Sequence, residues 1–71
     1  MTMMTDQDRL RALLPHWIAH NAEQRAEFRR WEEKARTAGQ REAAEEIAEA
    51  AKEMGWVNEA LNAALEKLGG P

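Results

Sequence analysis

Two seams of mostly apolar positions run through this 71-residue chain, each advancing by alternating steps of four and three. The first seam contains Leu10, Leu14, Trp17, Asn21, Gln24, Phe28, Trp31, Ala35 and Ala38. The second seam contains Gln40, Ala44, Ile47, Ala51, Met54, Asn58, Leu61, Leu65 and Leu68. The steps average about 3.5 residues, which is the period of helices that pack against one another. The pattern therefore predicts two helices, at about residues 6–38 and 40–68.

Capping and turn residues indicate where the first helix begins and ends. Thr5 and Asp8 resemble a capping box, so the helix should begin near residue 6. Gly39 is the expected stop, because glycine readily adopts the left-handed conformation that closes a helix. Pro15 lies within the seam, and a proline inside a helix removes a hydrogen bond and clashes with the preceding turn. We therefore expect the first helix to be kinked or broken at Pro15.

Folding the chain back at Gly39 pairs the two seams and places Asn21 opposite Asn58. The predicted fold is all-α, an antiparallel helical hairpin at residues 6–68 between disordered termini at 1–5 and 69–71. The same register brings oppositely charged residues together across the hairpin, which supports it. The expected ion pairs are Arg25 with Glu53, Arg29 with Glu49, and Arg36 with Glu42.

A second apolar stripe on the C-terminal helix indicates self-association. It contains Ala43, Ile47, Ala50, Met54, Val57, Leu61, Ala64 and Leu68, and it is too wide for one partner helix. The first helix carries a stripe of small residues that we expect to match it, at Ala12, Ala19, Ala22 and Ala26. Dimerisation into a four-helix bundle would cover both stripes. Trp17 and Trp31 should be anchors of the core or of the bundle interface, and Trp56 should lie at an interface or be partly exposed.

Composition and charge narrow the function classes. The chain has 44% hydrophobic residues, fourteen of them alanine, and it has no cysteine or serine. It therefore has neither a disulfide nor a thiolate metal site, and it lacks the usual nucleophiles. The net charge of −3 argues against a nucleic-acid partner. With no apolar run of membrane length and no signal peptide, we expect a cytoplasmic protein that does not interact with a membrane.

The seams turn polar near Asn21 and Asn58, and two histidines lie beside this layer. His16 and His20 are spaced i, i+4, so both imidazoles project from one helix face and can chelate one ion. Histidine suits Ni, Zn and Cu, so the pattern predicts a divalent transition-metal site at the polar layer, and no organic cofactor. The other ligands, or groups that hydrogen-bond to the ligands, would come from solvent, from a symmetry-related chain or from Gln24, Glu23, Glu27, Asn21, Asn58, Glu59 and Asn62.

Two other functions are consistent with the same residues. One is a purely structural oligomerisation or interaction module, in which the polar layer fixes the register of the helices and binds no metal. The other is a minimal metal-dependent hydrolase with its site at the dimer interface. There a histidine-bound metal would activate water, and Glu59, Glu23 or Glu27 would be the general base. The sequence assigns no catalytic residue.

The segment Leu-Leu-Pro-His-Trp-Ile-Ala-His-Asn, at residues 13–21, carries a family resemblance. It resembles the signature of a little-characterised prokaryotic helical domain that is sometimes associated with small nickel-binding proteins of the CooT type. The resemblance extends over most of the chain and implies a metal-binding role for His16 and His20. That family has a third histidine four residues after the second, where this chain has Gln24.

Overall fold

The computed structural model describes residues 3–70, which form two α-helices and no strand. Helix α1 spans Asp6–Thr37 and helix α2 spans Arg41–Lys67. They pack side by side in an antiparallel hairpin with extents of 59 × 20 × 13 Å. The predicted all-α hairpin is confirmed. The disorder predicted for residues 1, 2 and 71 concerns positions outside the described residues.

The N-terminus of α1 is closed by the predicted capping box. The backbone amide of Asp8 donates to Thr5 Oγ1, and the backbone amide of Thr5 donates to Asp8 Oδ2, both at 3.1 Å. These bonds satisfy two groups that a helix start otherwise leaves without partners. The backbone hydrogen bond from Thr5, followed by the bond with its side chain, lowers the pKa of the Asp8 carboxyl.

Both helices end in the same glycine-dependent turn. At the end of α1, Gly39 has φ +81°, its amide donates to Arg36 O, and the amide of Gln40 donates to Ala35 O at 2.8 Å. These two bonds form a Schellman motif, so Gly39 is confirmed as the stop of the first helix. The end of α2 repeats the motif with Gly69 and Gly70, where the amide of Gly70 donates to Leu65 O at 2.9 Å.

Helix α1 runs through Pro15 without interruption. The helix is therefore not broken at Pro15. The alternative expectation, a kink at this residue, stays a prediction. Because proline has no N–H, the carbonyl of Arg11 lacks its usual partner four residues later. The side chain of Arg11 connects the two helices, because its Nε donates to Leu68 O at the end of α2 over 2.8 Å.

The seam of α2 packs against α1 nearly as predicted. Ala44, Ala51 and Leu65 are buried, and the remaining seam residues from Ile47 to Leu68 are half-buried. Only Gln40, which precedes the helix, is exposed. On α1 just one residue, Leu14, is buried, so the hydrophobic core of the hairpin consists of four side chains.

The seam of α1 differs from the prediction. Leu14, Asn21, Phe28 and Ala35 face α2 as expected, but Leu10, Trp17, Gln24 and Trp31 are exposed. Their places are taken by the residues that follow each of them: Arg11, Ile18, Arg25 and Glu32. The helix is thus rotated by about 50° from the expected orientation. The arginines tolerate these positions because their stems pack on α2 while their guanidinium groups reach main-chain carbonyls.

The ion pairs expected between the helices are not formed among the described residues, where every ion pair lies within α1. Arg29 and Arg36 both bind Glu32, at 2.9 and 3.1 Å. Hydrogen bonds from Arg29 and then Arg36 lower the pKa of the Glu32 carboxyl. Arg25 bonds to a carbonyl of α2 and not to Glu53. Register therefore depends on main-chain and amide contacts, and surface charge pairs contribute little to it.

Candidate functional site

The two long flanks of the hairpin have different chemistry. One flank carries a groove of about 720 Å³, lined by Ala22, Arg25 and Arg29 of α1 and by Lys52, Trp56 and Glu59 of α2, among others. We call it the polar groove. On each helix, residues three to four positions apart share a face. The sequence therefore shows which residues lie on the side of the hairpin opposite to the groove. That opposite side carries Leu10, Leu13, Trp17, Trp31 and Val57, which we call the apolar flank.

The residues of the apolar flank are large and exposed. Trp31 is 53% exposed, Val57 45% and Trp17 40%. The two tryptophans therefore do not belong to the core of the hairpin. Of the two predicted roles, the one that remains is an anchor at an interface with another chain. The small residues Ala22 and Ala26, expected to match the second stripe of α2, instead line the polar groove. The rotation of α1 explains the change, because it moves the tryptophans out of the seam and beside that stripe.

The polar layer forms where the sequence predicted it. Asn21 Nδ2 donates to Asn58 Oδ1 at 3.1 Å, and Asn58 Nδ2 donates to the carbonyl of Ile18 at 3.0 Å. Asn62 donates to the carbonyl of Asn58 on its own helix. Within residues 3–70 no buried side-chain nitrogen or oxygen lacks a partner. Asn58 thus joins the helices through both ends of its amide, which sets their register.

The structure does not bring the predicted metal ligands together. His16 and His20 are exposed, one turn apart on α1, and face away from the Asn21–Asn58 pair. Gln24 continues their row and is also exposed. Three of the expected supporting residues, Asn58, Glu59 and Asn62, line the polar groove. Among the residues that the structure describes, no group of three or more histidine, aspartate or glutamate side chains is placed to hold a metal ion.

The two nearby acids differ in their availability. Glu27 accepts hydrogen bonds from Arg30 and from the indole Nε1 of Trp31, the second at 2.8 Å. These bonds, the one from Arg30 first, lower the pKa of Glu27. The Nζ of Lys34 lies over the same indole, 4.4 Å from the ring centroid. Glu23 is exposed and one turn from His20, so it is the acid closest to the histidine pair along the helix.

The polar groove contains a contact that the sequence analysis missed. Arg25 Nε donates to the carbonyl of Ala51 at 3.0 Å, and the guanidinium lies across Gly55. A Cβ added at Gly55 would be 3.1 Å from Arg25 Cζ, closer than side chains usually approach. The only signal in the sequence is a glycine inside an otherwise uninterrupted helix, which often indicates a close approach of another group.

Comparisons with known proteins give a family without a described activity. No helix within residues 3–70 combines the length and the apolar character needed to cross a bilayer. No curated protein and no solved structure shows significant similarity to the chain. Residues 10–68, most of the two helices, match the family described as "Domain of unknown function (DUF8180)". The chain therefore belongs to the DUF8180 family of domains of unknown function.

Proposed function

We propose that this domain is a self-association module in which the apolar flank packs against the same flank of a second copy, giving a four-helix bundle. The observation that carries the proposal is the excess of surface. The hairpin exposes 5501 Å², whereas a globular monomer of 8.1 kDa exposes about 4500 Å². The excess of about 1000 Å² is close to the roughly 800 Å² that each partner buries in a standard protein interface.

The shape of the chain supports the same proposal. Its radius of gyration is 16.4 Å, whereas a compact domain of this length has about 11 Å. Four buried side chains are a small core for a chain without disulfides, and small domains of this kind are commonly stabilised by oligomerisation. A second copy would add core without adding chain.

The two helices contribute complementary shapes to the apolar flank. Helix α1 contributes the bulky Trp17 and Trp31, and α2 contributes small residues on either side of Val57, at Ala50 and Ala64. A two-fold arrangement would set the tryptophans of one copy against the alanines of the other, and large residues pack well against small ones. The polar groove would remain open, because it lies on the other flank.

The experiment compares three tryptophan variants with the wild type by sedimentation equilibrium. Trp17→Gln and Trp31→Gln alter the apolar flank, whereas Trp56→Gln alters an equally exposed tryptophan on the polar groove. We expect each flank variant to weaken dimerisation by about tenfold or more, because buried tryptophans are common hot spots of interfaces. Trp56→Gln should dimerise like the wild type. Equal effects of all three substitutions, with helicity retained by circular dichroism, would contradict the assignment of the interface.

A second candidate function is divalent metal binding by His16 and His20. It is favoured by their exposure side by side on α1, where neither imidazole bonds to another described residue. The resemblance of residues 13–21 to a helical domain that is sometimes associated with small nickel-binding proteins supports the same candidate. One chain offers only two imidazoles, so its own residues do not complete a site. The remaining ligands would come from the second copy, with Ni, Zn or Cu as the ion.

Calorimetric titration of Ni²⁺, Zn²⁺ and Cu²⁺ tests this candidate. We expect saturable binding with one ion for two chains, and loss of that binding in the double variant His16→Ala/His20→Ala. Gln7→Ala, at an exposed position of α1 outside the expected ligand set, is the control and should bind like the wild type. An absence of saturable binding at micromolar metal would refute the candidate while leaving the self-association proposal standing. Hydrolysis of an activated ester that requires both the metal and the histidines would extend it to a metal-dependent hydrolase.

A further inference from the structure

The polar groove concentrates positive charge in an acidic protein. Its lining includes Arg25, Arg29 and Lys52 but only one acid, Glu59, which gives the lining a formal charge of +2. The whole chain has a net charge of −3. A concave surface whose charge is opposite to that of the protein attracts small anions and raises their local concentration. This charge distribution favours anionic ligands in the groove.

Arg25 lines the groove and is anchored to α2. Its Nε donates to Ala51 O, and Gly55 leaves room for the guanidinium plane to lie against α2. Its two terminal nitrogens donate to no residue in the described part of the chain. A guanidinium that is anchored through Nε keeps two parallel N–H donors, the geometry that binds a carboxylate or phosphate through two oxygens. Anchoring also lowers the side-chain entropy lost on binding.

The groove also offers apolar surface beside this charge. Trp56 is 53% exposed, and the Nζ of Lys52 lies 5.2 Å from its ring centroid. Across the groove, Ala22 and Ala26 of α1 present small apolar side chains. A flat ring can take the place of the Lys52 ammonium on the indole, and the displaced ammonium can then pair with the acidic substituent of that ring, beside Arg25.

We propose that the polar groove is a binding site for a small aromatic anion, a carboxylate or a phosphate ester attached to a planar ring. Arg25 binds the anionic group through its terminal nitrogens, and Lys52 adds a second positive charge. Trp56 provides the stacking surface. The site lies on the opposite flank from the proposed dimer interface, so it does not depend on self-association.

The test is a titration of the ¹⁵N-labelled protein followed by NMR. The probes are naphthoate and naphthyl phosphate, with naphthylmethylamine as the cationic counterpart and inorganic phosphate as the anion without a ring. We expect saturable shifts of the Trp56 indole and Gly55 amide signals with at least one of the two aromatic anions. The amine should cause none, and inorganic phosphate should bind more weakly than naphthyl phosphate. The stronger of the two aromatic anions identifies the preferred acidic group.

Three variants separate the site from general charge attraction. Lys52→Gln and Arg25→Gln should each weaken binding by about tenfold, as expected for loss of a charged hydrogen-bond donor. Arg30→Gln, which also removes one positive charge from α1 but lies off the groove, should bind like the wild type. Lys52 bonds to no carbonyl within residues 3–70, so its variant remains informative if Arg25→Gln unfolds. Absence of saturation by both aromatic anions, equal binding of the amine, or unchanged affinity in Lys52→Gln would overturn the proposal.

Discussion

Replacement of Asn58 by alanine perturbs the contact that sets the register of the hairpin. Asn58 makes two hydrogen bonds to α1, as acceptor from Asn21 and as donor to Ile18 O. Each such bond contributes about 1 kcal/mol to the free energy of unfolding. Alanine favours the helix over asparagine by at most about 0.7 kcal/mol, which offsets part of the loss. Asn62→Ala is the matched control, because Asn62 bonds only to its own helix.

Urea unfolding followed by circular dichroism measures the difference at one fixed protein concentration, since self-association would otherwise shift the midpoint. We expect Asn58→Ala to be less stable than Asn62→Ala by about 2 kcal/mol. For a chain of this length that difference corresponds to a melting temperature lower by roughly 10 °C. Asn21→Ala removes only the bond shared with Asn58. It should lower the free energy of unfolding by about 1 kcal/mol, less the gain from the higher helix propensity of alanine.

The double variant Asn21→Ala/Asn58→Ala isolates the shared hydrogen bond. That bond is lost in each single variant, so adding the two single losses counts it twice. The double variant should therefore lose about 1 kcal/mol less free energy of unfolding than the sum of the two single losses. Equal stability of Asn58→Ala and Asn62→Ala would refute the reasoning, since it would mean that the amide pair does not join the helices. Strict additivity of the two single effects would show that Asn21 and Asn58 act separately.

Three further predictions concern the ends and the continuity of the helices. The lowered pKa of Asp8 means that its carboxylate stabilises the fold above about pH 5, and this stabilisation is lost as the pH falls through 4 towards the lowered value. Asp8→Asn should therefore flatten the acid side of a plot of urea midpoint against pH, and an unchanged plot would contradict this role. Arg11→Gln should lower the free energy of unfolding by about 1.5 kcal/mol, because the bond to Leu68 O is lost. The control Arg9→Gln, at an exposed position, should change it by less than about 0.5 kcal/mol. Equal effects of the two substitutions would show that the bond to Leu68 O does not stabilise the hairpin. Pro15→Ala restores an amide donor for Arg11 O and should raise the free energy of unfolding by about 1 kcal/mol or more. A lower melting temperature of this variant would contradict the prediction, since it would mean that Pro15 stabilises the helix.

The ends of the helices and the seam of α2 could be predicted from sequence because each depends on a local rule. Gly39 ends α1 through a positive φ, and Thr5 with Asp8 begins it through two reciprocal bonds. The seam of α2 is read correctly because Ala44, Ala51 and Leu65, which are spaced by multiples of seven residues, all lie on the face that packs against α1. The facing of Asn21 and Asn58 follows once the hairpin folds at Gly39.

The orientation of α1 could not be predicted from the apolar pattern alone. Either of two neighbouring arcs can face α2, and one of them contains the more hydrophobic Trp17 and Trp31. The structure uses the other arc, where Arg11 and Arg25 donate to carbonyls of α2. Pattern analysis counts arginine as a solvent residue, and it cannot foresee that Gly55 makes room for a guanidinium.

The same rotation decides what could be predicted of the candidate site. The spacing of His16 and His20 predicts that both lie on one face of a helix, and the structure has both residues exposed. Their distance from Glu59 and Asn62 depends on which arc of α1 faces α2, so the expected ligand set did not assemble in one chain. The polar groove was missed for the same reason, because its lining comes from both helices and exists only in the rotated arrangement.

Sedimentation velocity of the wild-type domain over a range of concentrations tests self-association most directly. The excess surface and the exposed tryptophans predict a dimer, with twice the 8.1 kDa mass of the chain, that dissociates into monomers on dilution. A single species of 8.1 kDa at every concentration, with intact helicity, would contradict the proposal that the apolar flank is covered by a second copy.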